Sequence, residues 1–175
     1  MREQNSENYE RIIAPIEDQM TRIVWRITRS PDDAEEAVQD ALTRIWRHWD
    51  AVCAHPNPQA LALRMCINAA CDQLRRKIRR RKTAAFLSRL AGSPRTAPSP
   101  ADSLSQSEQA DAIFAAIAQL SHNQAAAVTM RLVQGHSYDE IAQSLGCGGA
   151  TARKHVERGR RRLRELLGPL ENSSS

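Results

Sequence analysis

The sequence predicts an all-α fold, with two small helical domains joined by a flexible linker and a helix-turn-helix in the second. Three observations lead there. Hydrophobic residues make up 41% of the 175 and aromatic residues only 4%; alanine and leucine dominate and β-branched runs are rare, which favours helices over sheets. Apolar residues step by three and four on either side of "LAGSPRTAPSPADSLSQS", Leu90 to Ser107, a stretch rich in Pro, Ser and Ala with no apolar period. Finally, the glycines at 146, 148 and 149 end one helix just before a strongly basic one.

Along the first half, Ile12, Ile16, Met20, Ile23 and Ile27 mark one helical face. Pro15 interrupts it, so the main helix starts there with proline in its first turn. In "SPDDAEEAVQDALTRIWRHW", Ser30 is placed to cap, Pro31 suits the first helical position, and Asp32 and Asp33 complement the helix N-terminus. Ala34, Val38, Ala41, Ile45 and Trp49 form its apolar face, with Glu35, Glu36, Gln39 and Asp40 projecting elsewhere. A loop, Asp50 to Pro58, leads into a long helix over Gln59 to Lys82, buried along Leu63, Ile67, Ala70, Leu74 and Ile78 and ending in seven Arg or Lys among nine residues.

Past the linker, Ile113, Ala116, Ile117 and Leu120 mark another helix, and Ser121 caps the next, which runs through Leu132 to stop near Gly135. "SYDEIAQSLGCGGATARKHVERGRRRLRELL" then has the layout of a helix-turn-helix. Ser137 and Glu140 make a capping box, Ile141 and Leu145 face inward, Ala142 sits at the helix crossing, and Gly146 supplies the left-handed turn. The second helix buries Ala152, Val156, Gly159, Leu163 and Leu166 and carries Arg153, Lys154, Glu157, Arg158, Arg161 and Arg162 opposite. Such a helix fits a DNA major groove, with early residues on base edges and later arginines on phosphate.

Charge is unevenly spread. Residues 1–50 sum to −4, 51–82 to +7 and 147–168 to +5, within a total of +5. Two basic segments call for a polyanion and the acidic one for a different partner. The four cysteines at 53, 66, 71 and 147 form no CxxC and no zinc-finger spacing, so we expect reduced thiols and no metal. There is no nucleophile elbow, phosphate loop or catalytic carboxylate pair, so neither enzyme chemistry nor a cofactor is expected. The lack of a signal peptide or long apolar run predicts a cytoplasmic protein with no membrane insertion.

Taken in order, these segments resemble bacterial RNA polymerase sigma factors of the extracytoplasmic-function group, over about residues 9–83 and 108–167. "DDAEEAVQDALTRIWR" is similar to the family's core-polymerase-binding helix, "LALRMCINAACDQLRR" to the helix that reads the −10 element, and the chain from Gln119 to Leu167 to its −35-binding domain. The resemblance implies sigma domain two over 1–83, a linker over 84–107, sigma domain four over 108–168 and a disordered tail over 169–175. This chain departs from the family at Leu61-Ala62, Ser121 and Gly148-Gly149-Ala150.

The resemblance also implies roles. Asp33, Glu36, Gln39, Asp40 and Arg44 would contact the clamp helices of the polymerase's largest subunit, and the flap of the second largest would hold domain four. Val52, Cys53 and His55, in the loop expected to receive a flipped base, would face −10 DNA with Arg64, Asn68, Asp72, Arg75, Arg76 and Arg79. Asn68, Asp72 and the arginines at 75 and 76 also lie at helical spacing, so bonding to one another is the alternative. Thr151, Arg153, Lys154, Glu157, Arg158 and Arg161 would meet the −35 element. The expected partners are therefore core RNA polymerase, double-stranded and melted promoter DNA, and an anti-sigma factor, with the free protein a monomer. The competing reading is a helix-turn-helix regulator acting apart from the polymerase. Fully extended, the 24-residue linker reaches at most about 80 Å; coiled, it lets the two domains fold back and hide their DNA faces.

Overall fold

The computed structural model describes residues 2–90 and 106–168, and every helix and turn in them belongs to an all-helical architecture. The middle of the expected linker, 91–105, and the expected disordered tail, 169–175, lie outside the described residues. Helices α1 (Arg2–Ile12), α2 (Glu17–Thr28), α3 (Pro31–Arg47), α4 (Trp49–Cys53) and α5 (Pro58–Leu90) form the first unit, with a 3-10 turn at Ala14–Ile16. Helices α6 (Gln106–Ile117), α7 (His122–Leu132), α8 (Tyr138–Leu145) and α9 (Gly149–Leu167) form the second.

Helices α2, α3 and α5 pack together because each carries one apolar stripe. Met20, Ile27, Ile45, Leu63 and Ile67 meet there, each at most 2% exposed. Pro15 falls in the 3-10 turn that separates α1 from α2. Ser30 caps α3, its hydroxyl accepting from the Asp33 amide. Between α2 and that cap the chain turns through Arg29 at φ 55°, the one left-handed non-glycine among the described residues. In the second unit, Ile117, Met130, Ile141 and Val156 are the corresponding buried contacts.

Two elements differ from the sequence reading. The expected loop after Trp49 begins as a helical turn, α4, because Trp49 and Val52, three residues apart, both turn inward at 6% and 1% exposure. The long helix runs on to Leu90, taking in residues 84–90 of the expected linker. Nothing in "TAAFLSRL" stops a helix; the first breakers are Gly92 and Pro94. Its last turns leave Phe86, Leu87 and Leu90 exposed.

The two units are packed together. Buried residues of α5, α7, α8 and α9 belong to one continuous apolar cluster, and α5 touches α6, α7 and α8.

Candidate nucleic-acid interface

The helix-turn-helix is built by local chemistry. The Ser137 hydroxyl accepts from the Glu140 amide at 3.2 Å, while a Glu140 carboxylate oxygen accepts from the Ser137 amide at 2.7 Å. These bonds from Ser137 hold the Glu140 carboxyl below its usual range. Gly146, at φ 63° and ψ 39°, ends α8 in the left-handed region, and Gly148 in extended conformation caps α9. Ala142 and Ala152, 6% and 0% exposed, let α8 and α9 cross closely. A Cβ on Gly159 would lie 2.4 Å from Val128 Cγ2, so only glycine lets α9 approach α7 there.

Opposite this packed side, Thr151, Arg153, Lys154, Glu157, Arg158 and Arg161 are all exposed along one face of α9. The Arg153 guanidinium lies over the Tyr138 ring at 4.8 Å, and Arg131 lies over the same ring at 4.8 Å. Tyr138 thus steadies a base-reading candidate. One tyrosine beside a cap carries no signal of its own in the sequence.

The −10 candidates fare differently. Val52 is a core residue at 1% exposure, turned inward and not toward the surface as the −10 reading expected. Cys53 is half-buried, and burial with the nearby Asp50 charge pushes its thiol up. His55 Nδ1 lies 3.1 Å from the Asn57 amide, and Asn57 Oδ1 accepts from the Ala60 amide, capping α5. Arg79 is exposed.

Arg64, Asn68, Asp72 and Arg75 lie along one face of α5, three of them in contact with the second unit. Arg64 donates to the Ser144 carbonyl at 2.6 Å. Arg75 donates through Nε to the Ala118 carbonyl at 2.5 Å and through Nη2 to the Leu120 carbonyl at 2.7 Å. Its Nη1 donates to Asp72 at 2.6 Å, and His122 Nε2 lies 3.0 Å from the same carboxylate. Burial opposes ionisation of Asp72, but its bonds to His122 and Arg75 outweigh that and keep the carboxyl below its usual range. The Asp72–Arg75 pair is the side-chain bonding that the spacing allowed. Asn68 Oδ1 is buried with no hydrogen-bond partner.

The acidic candidates on α3 turn partly inward. Asp33 pairs with Lys77, Glu36 accepts from Gln73 at 2.5 Å, and Asp40 holds Arg44 at 2.7 Å. Arg44 also lies 3.6 Å from Asp72, while Arg76 donates to Gln73 at 2.6 Å. Much of the charge read as outward docking surface therefore binds α3 to α5. Gln73 and Lys77, absent from the sequence candidates, are the partners, and only the folded packing brings them within reach. Gln39 stays exposed. It lines a groove of about 640 Å³ with Trp25, Val38 and Glu35, where Trp25 is 49% exposed.

A second groove, of about 820 Å³, runs between α6, α7 and α9 and is lined by Ile113, Leu132, Leu163 and Leu167 with Arg160 and Arg164 at its edge. Among the described residues no cluster of three His, Cys, Asp or Glu could hold a metal, and no helix is long and apolar enough to cross a membrane. All four cysteines are free.

Comparison with known proteins matches both units. Residues 12–81 match the family described as sigma-70 region 2, and residues 110–163 that described as sigma-70, region 4. The ECF RNA polymerase sigma factor SigM of Mycobacterium tuberculosis is 31% identical over 157 residues, 87% of this chain and 73% of that one. The ECF RNA polymerase sigma factor SigE of Mycolicibacterium smegmatis is 27% identical over 161 residues, 91% of this chain and 62% of that one. A solved sigma factor RpoE, from its complex with the anti-sigma factor NepR of Bartonella quintana, aligns at 24% identity and a TM-score of 0.49, over 92% of this chain and 97% of that one.

Proposed function

The chain belongs to the extracytoplasmic-function RNA polymerase sigma factors, and from that premise we propose that it binds core RNA polymerase and directs it to promoters. It recognises −10 and −35 elements, assists DNA melting and leaves bond formation to the polymerase. The observation that carries this is the exposed basic row on α9, presented by a helix-turn-helix whose first helix starts in a capping box, on the same chain as the region 2 match.

The finer assignments follow from surface chemistry. Arg153, Lys154 and Arg158 suit base edges, and Arg161 suits phosphate. Gln39, Glu35 and the exposed ring of Trp25 make a surface for the clamp helices of the largest subunit, since aromatic anchors in grooves dominate protein interfaces. The apolar groove beside Leu132 suits the flap of the second largest subunit. The protein acts in the cytoplasm with the polymerase, as a monomer when free, and an anti-sigma factor is its expected antagonist. Gel filtration of the chain mixed with core polymerase tests the reading. Co-elution is expected; separate elution at micromolar concentrations would sink it.

A further inference from the structure

We propose that the chain is self-inhibited. Its second unit docks on the face of α5 assigned to −10 DNA and keeps that DNA out until the two units separate. This rests on the reading of α5 as the −10 face.

The contact is built at both ends of that face. At the first turns of α5, the Ser144 hydroxyl donates to the Ala60 carbonyl at 2.8 Å and Arg64 returns a bond to the Ser144 carbonyl. Asn57 Nδ2 donates to Gln143 Oε1 at 3.1 Å beside them. Three turns further on, Arg75 takes the Ala118 and Leu120 carbonyls that follow the end of α6. Such carbonyls lack partners within their own helix, and a cation there is favoured. A third tie lies outside the face, where Arg29 binds Asp111 at 3.0 Å and Ser107 at 2.8 Å.

Arg75 cannot hold these carbonyls and DNA phosphate at once, because its Nε, Nη1 and Nη2 are all directed at protein oxygens, and Arg64 has one donor, Nη1, taken by the Ser144 carbonyl. Occlusion is therefore competitive. It is also one-sided, because the recognition face of α9 stays exposed. The free chain can thus meet a −35 element while its −10 face is shut. On the same face, Asn68 Oδ1 is buried without a hydrogen-bond partner, an unsatisfied polar group that the closed state carries.

Two full-length variants test this. Ser144→Leu places bulk where Ser144 has no exposed surface against Ala60. His122→Ala with Gln143→Ala removes contact atoms from two exposed positions without adding any, and keeps the test valid if the first variant fails to fold. Small-angle scattering of the wild type should give a radius of gyration near the compact value of about 16 Å for this length, rising in the variants. Binding of a fluorescent, random-sequence single-stranded 12-mer pool, at one salt concentration, should tighten about tenfold or more in the variants. An extended wild type would overturn the closed state and leave the −10 assignment untouched. Variants that open with unchanged oligonucleotide affinity would instead overturn the −10 assignment, and self-inhibition with it.

Discussion

The Ser144 hydroxyl donates to the Ala60 carbonyl across 2.8 Å, and the two residues are 0% and 3% exposed. This buried bond helps join the first helix of the helix-turn-helix to the first turn of α5, 84 residues away in sequence. Around it the apolar core continues from one unit into the other.

Unfolding should follow that continuity. A shared core predicts one cooperative transition for the full chain, with calorimetric and van't Hoff enthalpies equal. Two resolved transitions in scanning calorimetry would contradict it.

Gly159→Ala should destabilise the protein despite alanine's better helix propensity. That propensity contributes about 1 kcal/mol. The new methyl meets Val128 Cγ2 at 2.4 Å, and Val128 is a stiff β-branched side chain at 1% exposure. Overpacking of this kind costs about 1–3 kcal/mol, so a net loss of about 1 kcal/mol is expected in urea unfolding. A gain in stability would mean that α7 and α9 are not held this close.

Asp33→Asn should remove the tie to Lys77 and cost about 1–3 kcal/mol at neutral pH. Burial disfavours the Asp33 carboxylate, but bonds from Lys77 and Ser30 outweigh it, so its folded pKa lies below the usual 3.8. Its contribution is therefore complete above about that pH and is lost as pH falls through the lowered value. The variant's stability should depend less on pH below 4, read from urea midpoints across an acid series. An acid limb identical to wild type would contradict the pairing.

Trp25→Ala should weaken core polymerase binding by about tenfold or more, as loss of an aromatic anchor does, while sparing the fold, since Trp25 is 49% exposed. Surface plasmon resonance against immobilised core enzyme reads this. Unchanged affinity would move the docking site elsewhere.

Much of this was legible in the sequence because it depends on neighbours. Ser137 with Glu140, Gly146, Ser30 with Pro31, and the stripe from Ile12 to Ile27 are set by residues within a few positions. What could not be read depends on distant pairing. Asp33 finds Lys77 44 residues on, and Arg75 finds Leu120 45 residues on. Charges off an apolar stripe look free until a second helix is laid beside them. The same limit hid Val52, whose burial depends on a turn of helix within the expected Asp50 to Pro58 loop, and Tyr138, whose ring matters only because Arg131 and Arg153 converge on it.

The central claim is that this chain directs core polymerase to promoters through the exposed face of α9. The most direct measurement is transcription from a promoter library varied over the −35 element, by core polymerase with wild-type chain or with Arg153→Ala, with transcript starts sequenced. We expect defined starts only when the chain is present. We also expect the variant to lose about 5- to 150-fold of discrimination at one −35 position, the worth of one bidentate arginine–guanine pair. Starts that do not depend on the chain, or an Arg153→Ala protein with wild-type preference at every −35 position, would contradict the account.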